Sequence, residues 1–213
     1  MEVVTEPLGS LDWEDIDAVA GAARKALAAL TDDPEHLRAA LLDLPERPDL
    51  LMLCEHYDIL DKIVLHDDPS GVRVRLHVFL PGYFDRPHNH RWSYASTILR
   101  GQYRHYLFGD AELDETIDPG SLRALMVRDE QPGSSYALHH AMVHAVVAEP
   151  YTVSLVIRGP AVKDRFLVMD RKTSKSWWQY GAGQESSSDA ARKRMSATRL
   201  AEVTTKLHQW GLF

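Results

Sequence analysis

Residues 82–101 read GYFDRPHNHRWSYASTILRG and place two histidines one residue apart, just ahead of a run with the texture of a buried strand. On an extended chain successive side chains point to opposite faces, so His88 and His90 project to one side and Asn89 to the other. Two imidazoles aimed at one point suggest metal chemistry, because neutral histidine nitrogens suit Fe, Zn, Cu or Ni. The same pair, following Asp85-Arg86-Pro87, also reads as solvated loop residues. The tripeptide HNH is not by itself the mark of a nuclease, whose motif is longer. A second histidine-rich stretch, HHAMVHAVVAE at 139–149, adds His139, His140 and His144 beside another strand-like run.

The elements that must position these groups divide the chain into three parts. Residues 10–30 are rich in alanine and leucine, with Ser10 as a candidate cap, and predict a first helix. Asp33 before Pro34 opens a second. From about residue 49 short runs rich in Val, Ile, Leu, Thr and Tyr are separated by turns such as HDDPSG, FGD, IDPG, QPG and AEP. Strands are expected near 62–66, 72–79, 94–100, 102–108, 122–129, 135–139, 144–149, 151–159 and 164–170. Short strands so closely spaced predict an antiparallel sandwich or small barrel. Trp177 and Trp178 read as cover for a barrel mouth or as core, and QESSS at 184–188 as a loop. Met195, Leu200, Val203, Leu207 and Trp210 fall near helical spacing. That final segment should pack back on the barrel or on a second subunit, which makes a homodimer one expectation. The division is residues 1–48 helical, 49–180 barrel and 181–213 a helical extension.

Bulk properties narrow the function. A 213-residue chain with 45% hydrophobic residues can bury a core of its own. The 24 basic and 31 acidic residues give a net charge of −7 and leave no basic stripe for phosphate backbones, so nucleic acid is not an expected partner. No secretory leader pattern opens the sequence and no membrane-length apolar run occurs, so a cytoplasmic protein that does not engage a membrane is expected. The single cysteine, Cys54, sits in an apolar run and reads as a buried thiol.

From Gly82, five residues lead to His88, one to His90, three to Tyr94 and six to Gly101. This spacing resembles the first motif of the cupin superfamily, in which Gly, two His, a Glu and Gly stand at these intervals. The second cupin motif resembles Gly133 to Ala148, with His139, Ala141 and Ala148 where Pro, Gly and Asn are usual, and His144 falls on the third histidine. The resemblance implies a mainly β fold, a cupin jelly-roll antiparallel barrel with N-terminal helices and a C-terminal helix. It implies metal ligation by His88, His90 and His144, with His139 or His140 as rivals for the third place. Tyr94 occupies the position of the usual Glu ligand. A phenol ligates a divalent ion poorly when neutral, so three histidines without a carboxylate are expected. Tyr94 then either fills the space of the absent carboxylate or, the favoured reading, donates a hydrogen bond to a group at the metal. His140, left over, is a candidate for proton transfer.

Within cupins the chain resembles the cysteine dioxygenase-like thiol dioxygenases, through an ungapped run from DKIVLHDDPSG to HNH and through EPYTVSLVIRGP. That resemblance implies Fe(II), O2 and a small-molecule substrate. The family's carboxylate-binding Arg falls on Lys62. Its Ser, His, Tyr triad falls on Ser154, Val156 and Arg158, and its cross-linking Cys falls on Ala95. These departures argue against cysteine as substrate. Lys62, Ser154 and Arg158 become the substrate-binding candidates, Arg158 through a charge-assisted bond to a carboxylate or, alternatively, as a rim residue in a surface ion pair. The expected function is an Fe(II)-dependent cupin dioxygenase or related oxygenase acting on a small anionic metabolite, with an amino-acid- or thiol-like substrate as one expectation. The rivals are a Zn, Ni or Mn lyase, isomerase or hydrolase using the same site, and a non-catalytic small-molecule-binding cupin.

Overall fold

The computed structural model describes residues 1–109, 114–181 and 184–213. The turn read at 108–110 ends on Asp110, which lies outside them. Helix α1 (Glu2–Thr5) precedes α2 (Ile16–Asp32), which starts later than its alanine-rich sequence suggests. Asp15, not Ser10, is its cap, accepting from the backbone N–H groups of Asp17 and Ala18. Asp33 Oδ1 accepts from the Glu35 amide at 3.2 Å and opens α3 (Glu35–Asp43), and α4 (Pro48–Leu51) leads into the strands.

In chain order these are β1 (Glu55–Tyr57), β2 (Leu60–Asp67), β3 (Arg73–Phe79), β4 (Tyr94–Arg100), β5 (Tyr103–Gly109), β6 (Met126–Glu130), β7 (Ser135–Leu138), β8 (Val143–Ala148), β9 (Val153–Arg158), β10 (Arg165–Asp170) and β11 (Lys175–Tyr180). One antiparallel sheet has the order β1-β2-β3-β9-β4-β7, and a second has β6-β5-β8. His88 forms a bridge to His144 of β8 on one side and to Val168 of β10 on the other, which joins the β10-β11 hairpin to the second sheet. The order β3-β9-β4-β7 facing His88-β8-β5-β6 is that of a jelly roll. His88 belongs to none of these strands and is bridged as a single residue. β11 and β1 are additions that the sequence pattern did not reveal.

Alternate residues of β2, β3 and β9 point away from the barrel. Ile63, Val74, Leu76, Val78, Leu155 and Ile157 are almost fully buried against Val19, Leu27 and Leu30 of α2 and Leu37 and Leu41 of α3. Cys54 lies in this layer, fully buried, its thiol pushed up to about 11 by burial. The C-terminal segment is two helices, α5 (Ser187–Lys193) and α6 (Ala197–Gln209), because Ser186 and Ser196 each cap a new start. Ser186 therefore belongs to a cap within the stretch read as a loop. Leu200, Val203 and Leu207 join the same apolar layer, and Arg199 locks α6 to β2 through the buried Asp61 carboxylate at 2.6 Å. No described helix is long and apolar enough to cross a membrane.

Gly101, the last glycine of the first motif, turns β4 into β5 with φ +72°. A Cβ there would lie 2.9 Å from the Thr152 Cα, so both the backbone angle and the space call for glycine.

Candidate metal centre and cavity

His88, His90 and His144 converge, each offering one ring nitrogen, with these atoms within 4.8 Å of one another. His88 and His90 lie on the segment that crosses between the sheets, and His144 stands opposite on β8. The backbone sets this arrangement. His88 and His144 exchange N–H···O bonds of 2.9 Å, and the His90 amide donates to the His140 carbonyl at 3.0 Å. Asn89, pointing the other way as period two requires, accepts from the Leu167 amide at 2.9 Å and ties the loop to β10.

Hydrogen bonds on the far side of two rings fix which nitrogen faces inward. The His88 Nδ1 lies 2.8 Å from the Arg86 carbonyl, to which only a protonated nitrogen can donate, leaving the lone pair on Nε2. The His144 Nδ1 lies 2.9 Å from His105 Nε2, while the His144 Nε2 stands 2.8 Å from His90 Nε2. Behind His105, Glu130 is 3.6 Å away, too far for a hydrogen bond, and receives Arg128 at 3.1 Å. His90 also stacks on Trp92, with ring centroids 4.6 Å apart. Burial, and after it the neighbouring imidazoles, holds His90 and His144 well below the usual histidine range, so both are neutral at pH 7. Neutral, oriented imidazoles whose inward nitrogens approach so closely fit a metal ion.

The triad forms part of the wall of a cavity of about 550 Å³ inside the barrel. Tyr94, 4% exposed, brings its hydroxyl to 3.4 Å from the His144 Nε2. Burial raises its phenol well above its ordinary value, with Tyr136 adding to the effect, so it keeps its proton. Ser154 and Lys62 also line the cavity, and both sit opposite His77 in register. Lys62 lies 3.4 Å from Glu55, whose carboxyl is held at about 2 by Lys62 and Lys193 against the upward push of burial. Arg158 is not a rim residue, and among the described residues no carboxylate pairs with it. It is 9% exposed and donates from Nη1 to the carbonyls of Gly159 at 2.7 Å and Gly71 at 3.0 Å.

His140 does not join the others. Its Nε2 faces the exposed Glu14 at 3.1 Å, with His139 beside it, outside the cavity wall. The turn at His139–Met142 carries their rings outward. Ala95 faces the layer beneath the helices, away from the triad.

Sequence reasoning left Arg75, His77 and Asp85 unplaced, and all three line the cavity. The signal for Arg75 and His77 was their period-two spacing with Arg73 and Phe79. For Asp85, whose carboxylate lies 3.4 Å from the His88 Nδ1, it was an acid three residues before the first histidine.

No protein-family model matches the chain, and no curated protein matches it by sequence. Solved structures that resemble it include KdgF from Halomonas sp., at 18% identity over 49% of this chain and 82% of that one, with a TM-score of 0.39. An RmlC-like cupin from Shewanella frigidimarina NCIMB 400 follows at 17% identity, 52% and 86% coverage and a TM-score of 0.38. YcfD, a ribosomal oxygenase from Escherichia coli, matches at 16% identity, 58% and 28% coverage and a TM-score of 0.36. The order of the strands itself makes the barrel a jelly roll.

Proposed function

We propose that the chain is an Fe(II)-dependent dioxygenase of the cupin type, acting on a small anionic metabolite. The observation that carries this reading is the donor set: three converging imidazoles on the wall of a cavity, two of them, His90 and His144, held neutral by burial, with a protonated phenol, Tyr94, where a carboxylate ligand would stand. Such a set leaves a dipositive site able to accept an anionic substrate. Iron(II) held by His88, His90 and His144 would supply the activation of O2.

The remaining work falls to this chain's own residues. The His105 Nε2, 2.9 Å from the His144 Nδ1, is placed to accept its proton, which would leave the Nε2 lone pair facing inward. Trp92 restrains the ring of His90 by stacking. Tyr94 holds a proton on its oxygen at neutral pH and can donate a hydrogen bond to a substrate atom beside the triad. Ser154 offers a hydroxyl, and Lys62 and Arg158 add positive potential along the same wall. Phe79, Tyr83 and Trp92 exclude water, which strengthens each of these polar contacts.

The test is oxygen consumption by protein loaded with Fe(II) under reducing conditions, screened against thiols, carboxylates, amino acids and diketones. Substrate-dependent O2 uptake is expected. Equal turnover under nitrogen by the Zn-loaded protein would replace this reading with Lewis-acid chemistry at the same three histidines.

A further inference from the structure

The cavity contains more positive charge than its own carboxylates neutralise. On β3, Arg73, Arg75, His77 and Phe79 line the cavity, while Val74, Leu76 and Val78 face the helices. Most nearby cations already have partners. Arg73 is paired with Asp67 at 2.7 Å and Lys62 with Glu55 at 3.4 Å, and Arg158 has its Nη1 on two carbonyls. Arg75 is different. It is 9% exposed, its Nε is buried without a hydrogen-bond partner, and among the described residues no carboxylate pairs with it. Its guanidinium lies over the Trp92 ring, 4.7 Å from the centroid, on the indole that also stacks with His90.

A buried guanidinium Nε without a partner is costly to keep, and a ligand anion is the natural group to satisfy it. We propose that Arg75 is the anion anchor of this cavity and that the substrate is a monocarboxylate on an apolar body of about the size of an aromatic ring. One uncommitted planar fork matches one carboxylate. The cavity's own acids offer little to an ammonium group: Glu55 and Glu185 are held by Lys193 at 2.8 and 2.5 Å, and Asp85 lies 3.4 Å from His88. A zwitterionic amino acid therefore fits less well than a simple carboxylate. The apolar body has its counterpart in Phe79, packed edge-on against Tyr83 and Tyr103 at 4.6 and 5.7 Å, with Val156 completing the wall.

This inference rests on the metal-enzyme reading only for its claim that the ligand is a substrate, and binding can be measured without turnover. Calorimetric titration of the metal-loaded protein with phenylacetate, 2-phenylethanol and inorganic phosphate should show phenylacetate bound most tightly. Arg75→Met should weaken phenylacetate by about tenfold to a hundredfold and leave 2-phenylethanol unchanged, with Arg75→Lys recovering part of the loss. If Arg75→Met does not fold, Arg75→Gln carries the same expectation. The titration is repeated after chelation. Phenylacetate affinity retained by the metal-free protein supports Arg75, whereas its disappearance would assign the anion to the metal and overturn the proposal. Phosphate binding more tightly than phenylacetate, or Arg75 variants binding phenylacetate normally, would overturn it as well. Oxygen uptake, measured separately, tests the oxygenase reading and leaves these outcomes untouched.

Discussion

The two faces of the six-stranded sheet are shielded from water to a similar degree and yet have opposite chemistry. Toward the helices lie Leu76, Leu155 and Ile157, each 0% exposed. Toward the barrel lie Arg75, Arg158 and Ser154, at 9%, 9% and 1%. In most sheets with one polar face, that face is the wet one. Here α2, α3 and α6 cover the apolar face, and the second sheet closes over the polar one. Burial alone therefore does not separate structure from function in this molecule. The apolar layer holds the fold together, and the polar interior retains Arg75, whose Nε has no partner among the described residues.

The contrast is sharpest at the triad. His144→Ala should abolish metal retention, from about one ion per chain to none, because it removes one of three ligands and strands His105. Elemental analysis of protein purified with metal present is the measurement. Full metal occupancy in this variant would remove the triad from the site. On the other face Leu155→Ala should cost about 2–5 kcal/mol in urea unfolding through the cavity it leaves. Below its unfolding transition, it should still bind metal normally. Loss of metal by a folded Leu155→Ala variant would mean that the two faces are not independent.

A smaller effect distinguishes the faces by pH. His77, His90 and His144 are buried neutral, held well below the usual 6.5 by burial first and nearby charges second. In the metal-free chain the unfolded state takes up protons below about pH 6.5 that the folded state refuses, so stability is lost as pH falls and is level above that point. Each such histidine contributes up to about 1.4 kcal/mol per pH unit. His77→Gln should make the slope between pH 6.5 and 5 shallower by about one proton, whereas Leu155→Ala should shift the curve without changing its slope. Parallel curves for His77→Gln and the unaltered chain would show that His77 is not held neutral.

The inverted faces also explain what could and could not be read from the sequence. The histidines were legible because the motif spacing is local: His88, His90 and the two glycines lie within one turn–strand unit, and His144 keeps its distance from Gly133. The side of β3 on which Arg75 and His77 lie was not legible, since alternation gives two faces without saying which is covered by helices. β11 escaped because it pairs with β10 alone and is mostly exposed; only Trp178 packs on a core cluster, beside Leu167 and Met169. Ser10 was a plausible cap by type, but Asp15 stands next to the first residue of the regular apolar stripe. For β3 and β11 the missing information was a long-range contact, not a local preference.

His140 carries the smallest prediction, and it tests the boundary of the site. By type and position it was a proton-transfer candidate, but its ring faces Glu14, whose side chain is 54% exposed, and the pair bridges the segment before α2 to the barrel surface. What His140 gives the triad is its backbone carbonyl, the acceptor for the His90 amide, and alanine retains that group. His140→Ala should therefore keep full metal occupancy and near-normal turnover, and lose less than about 1 kcal/mol of stability, since it removes a surface polar contact. His139→Ala should behave alike. A drop of tenfold or more in turnover with metal still bound would show that His140 reaches the reacting atoms despite its position. The interior would then extend through the turn at Met142 to the surface, and the separation of a reactive inside from an inert outside would fail at that point.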